Sequence, residues 1–305
     1  MPYIQGFGTY LPERIVTNQE LARLVSKDPE WIEKACGIRE RRWAKSDESV
    51  ADLAVAAGQT CLNAHPASPG MLILASGSAA VGFPGPAAEV AMRLGLESIP
   101  ALDVPMASAG SLFGLVLAAQ SVPQFGAVLV IGAEKMSAVL EAGPRDPDTM
   151  ILFGDGAGAV LLSERPGPWR VGEAALHSDG HFQADLAFDA KNGLTMNGLS
   201  VIMQASRKLP AVIQEVLTRE SLASSDVAKF VLHQANQNLL TRVAKTLGVA
   251  PERMYTNIGR YGNTSSASLL IALAEYASTP AEGPIMLAAF GAGFHWGAAM
   301  LYKSV

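Results

Sequence analysis

The sequence predicts an α/β fold in which a mostly parallel sheet is covered by helices on both faces. Two observations carry this. Short apolar runs, MLILAS (71–76), ALDV (101–104) and AVLVIGA (127–133), alternate with helical stretches. The alternation then restarts after the turn-rich Glu164-Arg165-Pro166-Gly167-Pro168. Two α/β halves of similar content, 1–165 and 166–305, therefore flank a linker near 165. The chain's 305 residues suffice for two core-sized units.

Taken in order, residues 2–9 alternate as a strand does. Thr17 with Glu20 forms a capping box that opens a helix at Asn18-Gln19-Glu20-Leu21. A second helix begins near Glu48, with Val50, Leu53, Ala54, Ala57 and Cys61 on one face. GAGAVLLS (156–163) reads as a strand. Beyond the linker come a long helix over roughly 199–218, the strand FVLHQ (230–234) and helices over 236–247 and 264–277. Strands at 284–289 and 296–302 close the chain. The sequence shows no short-period repeat and no low-complexity tract.

Composition narrows the function classes. The chain is 49% hydrophobic and 17% charged, with a net charge of -5. That balance lacks the basic stripe of a nucleic-acid binder. The densest basic run, Arg39-Glu40-Arg41-Arg42, reads as a solvated loop or strand edge. Two cysteines, Cys36 and Cys61, make no disulfide scaffold and fit a reducing cytoplasm. Neither has a basic activating neighbour, so both read as buried packing thiols. The N-terminal MPYIQGFGTYLPERIV does not have the pattern of a signal peptide. No apolar run reaches membrane-spanning length.

Five segments could carry chemistry. In DVPMASAGSLFGLVLAAQ (103–120) a strand ends and Ser108 stands at the start of a helix. There it would sit in the positive field of the helix N-terminus, beside unpaired backbone N–H groups; taken alone, it is also an ordinary N-cap. In VLHQANQN (231–238), His233 follows an apolar strand, a place where a structural histidine is equally at home. In NIGRYGNTSSAS (257–268), Asn263 could cap the following helix. FGAGFHWGAAML (290–301) puts a Gly-rich turn between two strands, either a tight hairpin or a close backbone approach to a ligand. FGDGAGAV (153–160) is consistent with a turn. His65, His177, His181 and His295 have no metal-ligand spacing, so no metal and no cofactor are expected. There is no GxSxG elbow, no Walker A motif and no GxGxxG after a first strand.

Together these segments resemble, in order and over essentially the whole chain, the ketoacyl-acyl-carrier-protein synthase III branch of the thiolase superfamily. WIEKACGIRERRWA (31–44) is similar to the family's early segment, FGDGAGAV to its mid-chain glycine motif, HQAN (233–236) and YGNTSSAS (261–268) to its His and Asn motifs, and GAGFHWGAAM (291–300) to its closing motif. The resemblance implies a thiolase fold: two similar βαβαβαββ halves in a five-layer αβαβα sandwich, usually a homodimer. It implies an acyltransferase, working on acyl thioesters of an acyl carrier protein or coenzyme A in fatty acid biosynthesis or specialised metabolism. It places the nucleophile at Ser108 and the catalytic pair at His233 and Asn263. The acyl oxyanion would lie between the N–H groups of Ser108 and Ala292. Trp31, Arg39, Phe153, Gly198, Asn236 and Lys245 fall at acyl- or coenzyme-A-binding positions. Phe83 falls where a residue reaches the acyl pocket of the partner subunit.

The departures are as specific. Serine stands at 108 where the family has cysteine. A helix N-terminus can bring a thiol of pKa ~8.5 into the physiological range, but a hydroxyl needs an adjacent base, for which His233 is the candidate. Ser108 is therefore the nucleophile of a diverged acyltransferase, an engineered replacement of cysteine, or the mark of a silent acyl-binding or partner subunit. Ala292 replaces a glycine. Ala35, Pro147, Met203 and Asn238 are neutral where the family contacts nucleotide or carrier phosphate with basic residues. That pattern points away from coenzyme A and toward a carrier protein as donor.

Overall fold

The computed structural model describes residues 1–79, 82–143, 146–189, 191–280 and 282–304. Among the described residues, thirteen strands and eleven α-helices follow one another. The first group is β1 (Tyr3–Tyr10), β2 (Arg14–Thr17), α1 (Asn18–Val25), α2 (Pro29–Cys36), β3 (Glu40–Trp43), α3 (Val50–Ala64) and β4 (Met71–Ala75). Then come α4 (Ala87–Arg93), β5 (Ala101–Val104), α5 (Gly110–Phe125), β6 (Ala127–Glu134), α6 (Met136–Glu141), α7 (Pro147–Met150) and β7 (Gly156–Ser163). Past the turn-rich segment lie β8 (Trp169–Ser178), β9 (Leu186–Asp189), β10 (Gly193–Met196), α8 (Gly198–Glu220) and β11 (Lys229–Leu232). The chain ends with α9 (Gln237–Leu247), α10 (Ile258–Tyr261), α11 (Ala267–Ala277), β12 (Ile285–Gly291) and β13 (His295–Lys303).

Nine strands form one sheet in the order β11-β12-β13-β8-β1-β7-β6-β4-β5. The expected mostly parallel sheet is instead mixed. Only β4/β5, β4/β6 and β11/β12 run parallel; the other five neighbouring pairs are antiparallel. The misreading has a physical cause. β7 is buried along its whole length, and a strand covered on both faces shows the continuous apolar run that parallel strands show. The path of β1, β4, β6 and β7 recurs in β8, β11, β12 and β13: one parallel pair, then two antiparallel steps. The two sets join through a short antiparallel contact of Tyr3 and Ile4 with Arg170 and Trp169.

The layers follow from the helices. α3 and α4 cover one set of strands, and α8, backed by α9, covers the other. α5 and α11 lie between, with α5 touching β4 and β6 on one side and β12 and β13 on the other. Both central helices, GSLFGLVLAAQSVPQF and ASLLIALAEYA, are largely apolar around their circumference, as a helix between two sheet faces must be. A Cβ on Gly158 of β7 would stand 2.7 Å from the Leu270 Cβ of α11, so that glycine sets how closely sheet and helix approach.

Local signals held in part. Thr17 Oγ1 accepts the Glu20 N–H at 3.3 Å, but the Glu20 carboxylate turns to Arg14, so only half of the box forms. The complete capping box is Ser49 with Asp52, which starts α3 at Val50. The basic run at 39–42 is a solvated strand edge only in part: Arg39 is exposed, but Arg41 is 0% exposed. Its guanidinium donates to Asn18 Oδ1 at 2.8 Å and to the Ile151 carbonyl at 2.6 Å, and burial lowers its pKa to about 10. Cys36 and Cys61 are buried, with the Cys61 thiol pushed up to about 12 by desolvation. Among the described residues, no helix is long and apolar enough to cross a membrane.

Candidate active site

Ser108 lies in the turn between β5 and α5. It is not the helix cap: Ala109 takes that position, and no side chain caps α5. Ser108 has φ +65°, a left-handed conformation uncommon outside glycine. Three contacts hold the turn. The Ser108 N–H donates to Ser265 Oγ at 2.9 Å, the Ala109 N–H to the Ala107 carbonyl at 2.7 Å, and Ser266 Oγ to the Met106 carbonyl at 2.6 Å. The end of β12 presses against the same turn. A Cβ on Gly291 would sit 2.1 Å from the Ala107 carbonyl oxygen and 2.9 Å from Ser108 Cβ, so only glycine fits there. Ser108 is 7% exposed and lines a cavity, and among the described residues no side chain hydrogen-bonds its Oγ.

His233 follows the last residue of β11. Its N–H donates to the Ala288 carbonyl at 2.9 Å, which continues the ladder by one residue. The buried Gln234 pins the loop, donating to the Leu232 carbonyl at 2.7 Å and accepting the Asn257 N–H at 3.1 Å. The His233 ring meets Ser268 Oγ through Nδ1 at 2.5 Å. Burial pulls its pKa down to about 3, so the imidazole is neutral at physiological pH. Asn263 is buried beside it, four residues before α11, and does not cap that helix. Its Oδ1 accepts the Ser265 N–H at 2.9 Å. That fixes the amide, because a backbone donor needs the oxygen, and leaves Nδ2 as a donor with no hydrogen-bond partner among the described residues.

Ser108, His233 and Asn263 open on one cavity enclosing about 130 Å³ accessible to the centre of a water molecule. Its walls are mainly apolar, with Leu186, Phe188 and Leu194 from the β9–β10 hairpin, Ile202 and Leu209 from α8, and Leu240 from α9. Phe153, Gly198, Asn236 and Ala292 also line it. Asn236 doubles as the N-cap of α9.

Four predicted positions lie outside the cavity lining. Lys245 is exposed in the last turn of α9. Trp31 is 41% exposed, with Lys27 Nζ 4.6 Å over its ring. Arg39 is tied through its N–H to the Gly259 carbonyl at 3.0 Å. Phe83 is 99% exposed. Of the neutral positions, Met203 is 59% exposed, and Asn238 Nδ2 donates to the Ala35 carbonyl at 3.0 Å.

Sequence reasoning did not single out Ser265, Ser268 or Glu134. The first two were visible as a run of hydroxyls entering an apolar helix. Glu134, at the end of an apolar strand, is 0% exposed. It accepts the N–H groups of Ser78 at 2.8 Å and Ser266 at 3.1 Å, tying two cavity-side turns together. Among the described residues, no group of three or more His, Cys, Asp or Glu side chains could hold a metal ion.

Two family models match the chain. Residues 102–180 match 3-oxoacyl-[acyl-carrier-protein (ACP)] synthase III, and residues 217–303 match its C-terminal part. A beta-ketoacyl-[acyl-carrier-protein] synthase III of Pectobacterium atrosepticum is 39% identical over 317 aligned residues, covering 98% of each chain. The protein of that name in Sodalis glossinidius is 36% identical, also over 98% of each. Among solved structures, the 3-oxoacyl-[acyl-carrier-protein] synthase III of Aquifex aeolicus superposes with a TM-score of 0.93 at 32% identity, covering 99% of this chain and 100% of that one. The Pseudomonas aeruginosa enzyme gives 0.93 at 33% identity, covering 100% and 98%.

Proposed function

Because the chain belongs to the 3-oxoacyl-acyl-carrier-protein synthase III family, whose members are acyltransferases of thiolase fold, we propose that it moves an acyl group from a thioester onto Ser108 and condenses it with a malonyl thioester. The observation that carries this reading is the convergence of Ser108, His233 and Asn263 on one apolar cavity. In the first step Ser108 Oγ attacks the thioester carbon, the C–S bond breaks, and the hydroxyl proton leaves with the thiol. In the second, the malonyl carboxylate departs as carbon dioxide and its electron pair passes into a thioester enolate. The His233 ring and Asn263 Nδ2 face that enolate oxygen as N–H donors. The enolate carbon then attacks the acyl ester, the bond to Oγ breaks, and Oγ regains a proton from solvent.

Two physical features make the reaction slow. Among the described residues no base hydrogen-bonds the Ser108 hydroxyl, and an ester is a poorer acyl donor to a carbanion than a thioester. Donor choice follows from the positions where the family contacts nucleotide or carrier phosphate. Ala35, Met203 and Asn238 offer no cation to a phosphate, and Lys27 covers one face of Trp31. A carrier-protein thioester is therefore the preferred donor. The physiological unit is a homodimer in which Phe83 of one copy completes the other's cavity, a reading supported by its exposure and by the terminal position of β5 in the sheet.

A product assay tests the activity. With a malonyl carrier-protein thioester and a short acyl thioester, the chain forms the 3-oxoacyl product, and His233→Ala lowers the yield by about 10²-fold or more. At equal concentration, the carrier-protein form of the acyl donor reacts faster than the coenzyme A form. Absence of product with either donor contradicts the reading; equal or faster reaction with coenzyme A contradicts the donor assignment.

A further inference from the structure

We propose that Ser268 is a positioning residue that holds His233 as the Nε2–H tautomer, so that His233 acts as a hydrogen-bond donor and not as the base for Ser108. The inference rests on the acyl-transfer reading of the same cavity and specifies what one of its residues does. It begins from proton accounting at a buried hydroxyl. Ser268 sits in the first turn of α11 and is 2% exposed. Its Oγ meets two groups: the Gln234 N–H, which donates to it at 3.2 Å, and His233 Nδ1, at 2.5 Å. A serine oxygen has two lone pairs and one proton.

If Nδ1 carried the ring proton, both lone pairs would be occupied by donors. The hydroxyl proton would then be buried with no acceptor, a situation that folded proteins avoid. A carbonyl one turn back offers it no escape. Thr60, Ser121 and Thr218 each donate to the carbonyl four residues earlier, whereas Ser268 makes no such bond among the described residues. The hydroxyl proton therefore goes to Nδ1, and the single proton of the neutral ring sits on Nε2.

The surroundings keep the arrangement rigid. Gln234, whose N–H fixes one lone pair of Ser268, is itself locked between the Leu232 carbonyl and the Asn257 N–H. No titratable side chain other than His233 hydrogen-bonds Ser268 among the described residues. The low pKa of His233 adds that a doubly protonated ring does not compete. Nε2 and Asn263 Nδ2 then present two N–H donors to the cavity. The Ser108 hydroxyl gains no base, which accounts for slow acylation and leaves decarboxylation intact.

Long-range ¹H–¹⁵N correlation of the imidazole rings reads the tautomer directly. The chain has five histidines, and His233→Asn assigns the signal. In the parent, His233 shows the Nε2–H pattern. Ser268→Ala removes one oxygen, suits a helix, and takes away the hydroxyl that donates to Nδ1, so His233 is no longer held to one tautomer and the two forms mix. In Ser268→Ala, malonyl decarboxylation falls at least about tenfold in kcat with little change in KM, because the ring loses the partner that fixes its tautomer and aims its Nε2–H at the cavity. Ser268→Thr, which restores a hydroxyl, recovers both the Nε2–H pattern and most of the rate. An Nδ1–H pattern in the parent overturns the proposal. So does a Ser268→Ala protein that keeps both the Nε2–H pattern and full decarboxylation. If the ring behaves as described but no acyl group ever reaches Ser108, the tautomer assignment stands and the acyl-transfer reading falls.

Discussion

Serine and cysteine differ at one atom, and under the proposed acyl transfer that atom at position 108 decides which step is slow. The left-handed turn, the pressure of Gly291 and the bond to Ser265 fix the backbone whichever side chain it carries. His233 is legible in the sequence as a histidine ending an apolar strand; its neutrality is not, because desolvation depends on residues distant in the chain. With a folded pKa of about 3 against 6.5, the unfolded state binds more protons than the native one between those values. The stability this contributes is complete above pH 6.5 and is lost as pH falls toward 3. Relative to His233→Gln, the parent loses about 2 kcal/mol more between pH 6.5 and 5, at about 1.4 kcal/mol per unit. Urea titrations at the two pH values check this; parallel losses in both proteins contradict it. Arg41 marks the opposite limit of sequence reading. Charge pattern assigns an arginine to the surface by default, and only the fold shows that the Ile151 carbonyl and Asn18 require it.

At the scale of elements, most helices and strands were readable because their signals are local. α9 runs over Gln237–Leu247 from the Asn236 cap, as the sequence around HQAN suggests. Strand direction was not readable, because burial on both faces erases the alternation that marks an antiparallel strand. The same applies to the hairpin β9–β10, whose short strands carry no strong pattern yet supply one wall of the cavity. The β12–β13 turn combines two roles the sequence left open: a hairpin, and a backbone pressed on the turn that carries Ser108. Gly291→Ala forces its Cβ against the Ala107 carbonyl, where backbone must move. Overpacking of this kind costs about 1–3 kcal/mol, and displacement of Ser108 lowers acyl transfer more than tenfold. Thermal unfolding and the product assay measure the two effects; an unchanged variant in both means that the turn yields freely.

At the scale of the molecule, layers and site are consequences of one arrangement: two strand sets closing on α5 and α11, with the turns before those helices facing the cavity. The exposed Phe83, together with Leu102 on the terminal strand β5, at 47% exposure, predicts a dimer by sedimentation at micromolar concentration, weakened by Phe83→Asp. A monomeric parent contradicts that. The central claim is that residue 108 takes the acyl group, and intact mass spectrometry after mixing with an acyl carrier-protein thioester tests it most directly. The account predicts a slow gain of one acyl mass in the parent and none in Ser108→Ala. It predicts a gain faster by about 10²–10⁴-fold in Ser108→Cys, where a thiolate formed at the helix start needs no base. A parent that never gains acyl mass, with a cysteine variant equally inert, contradicts it.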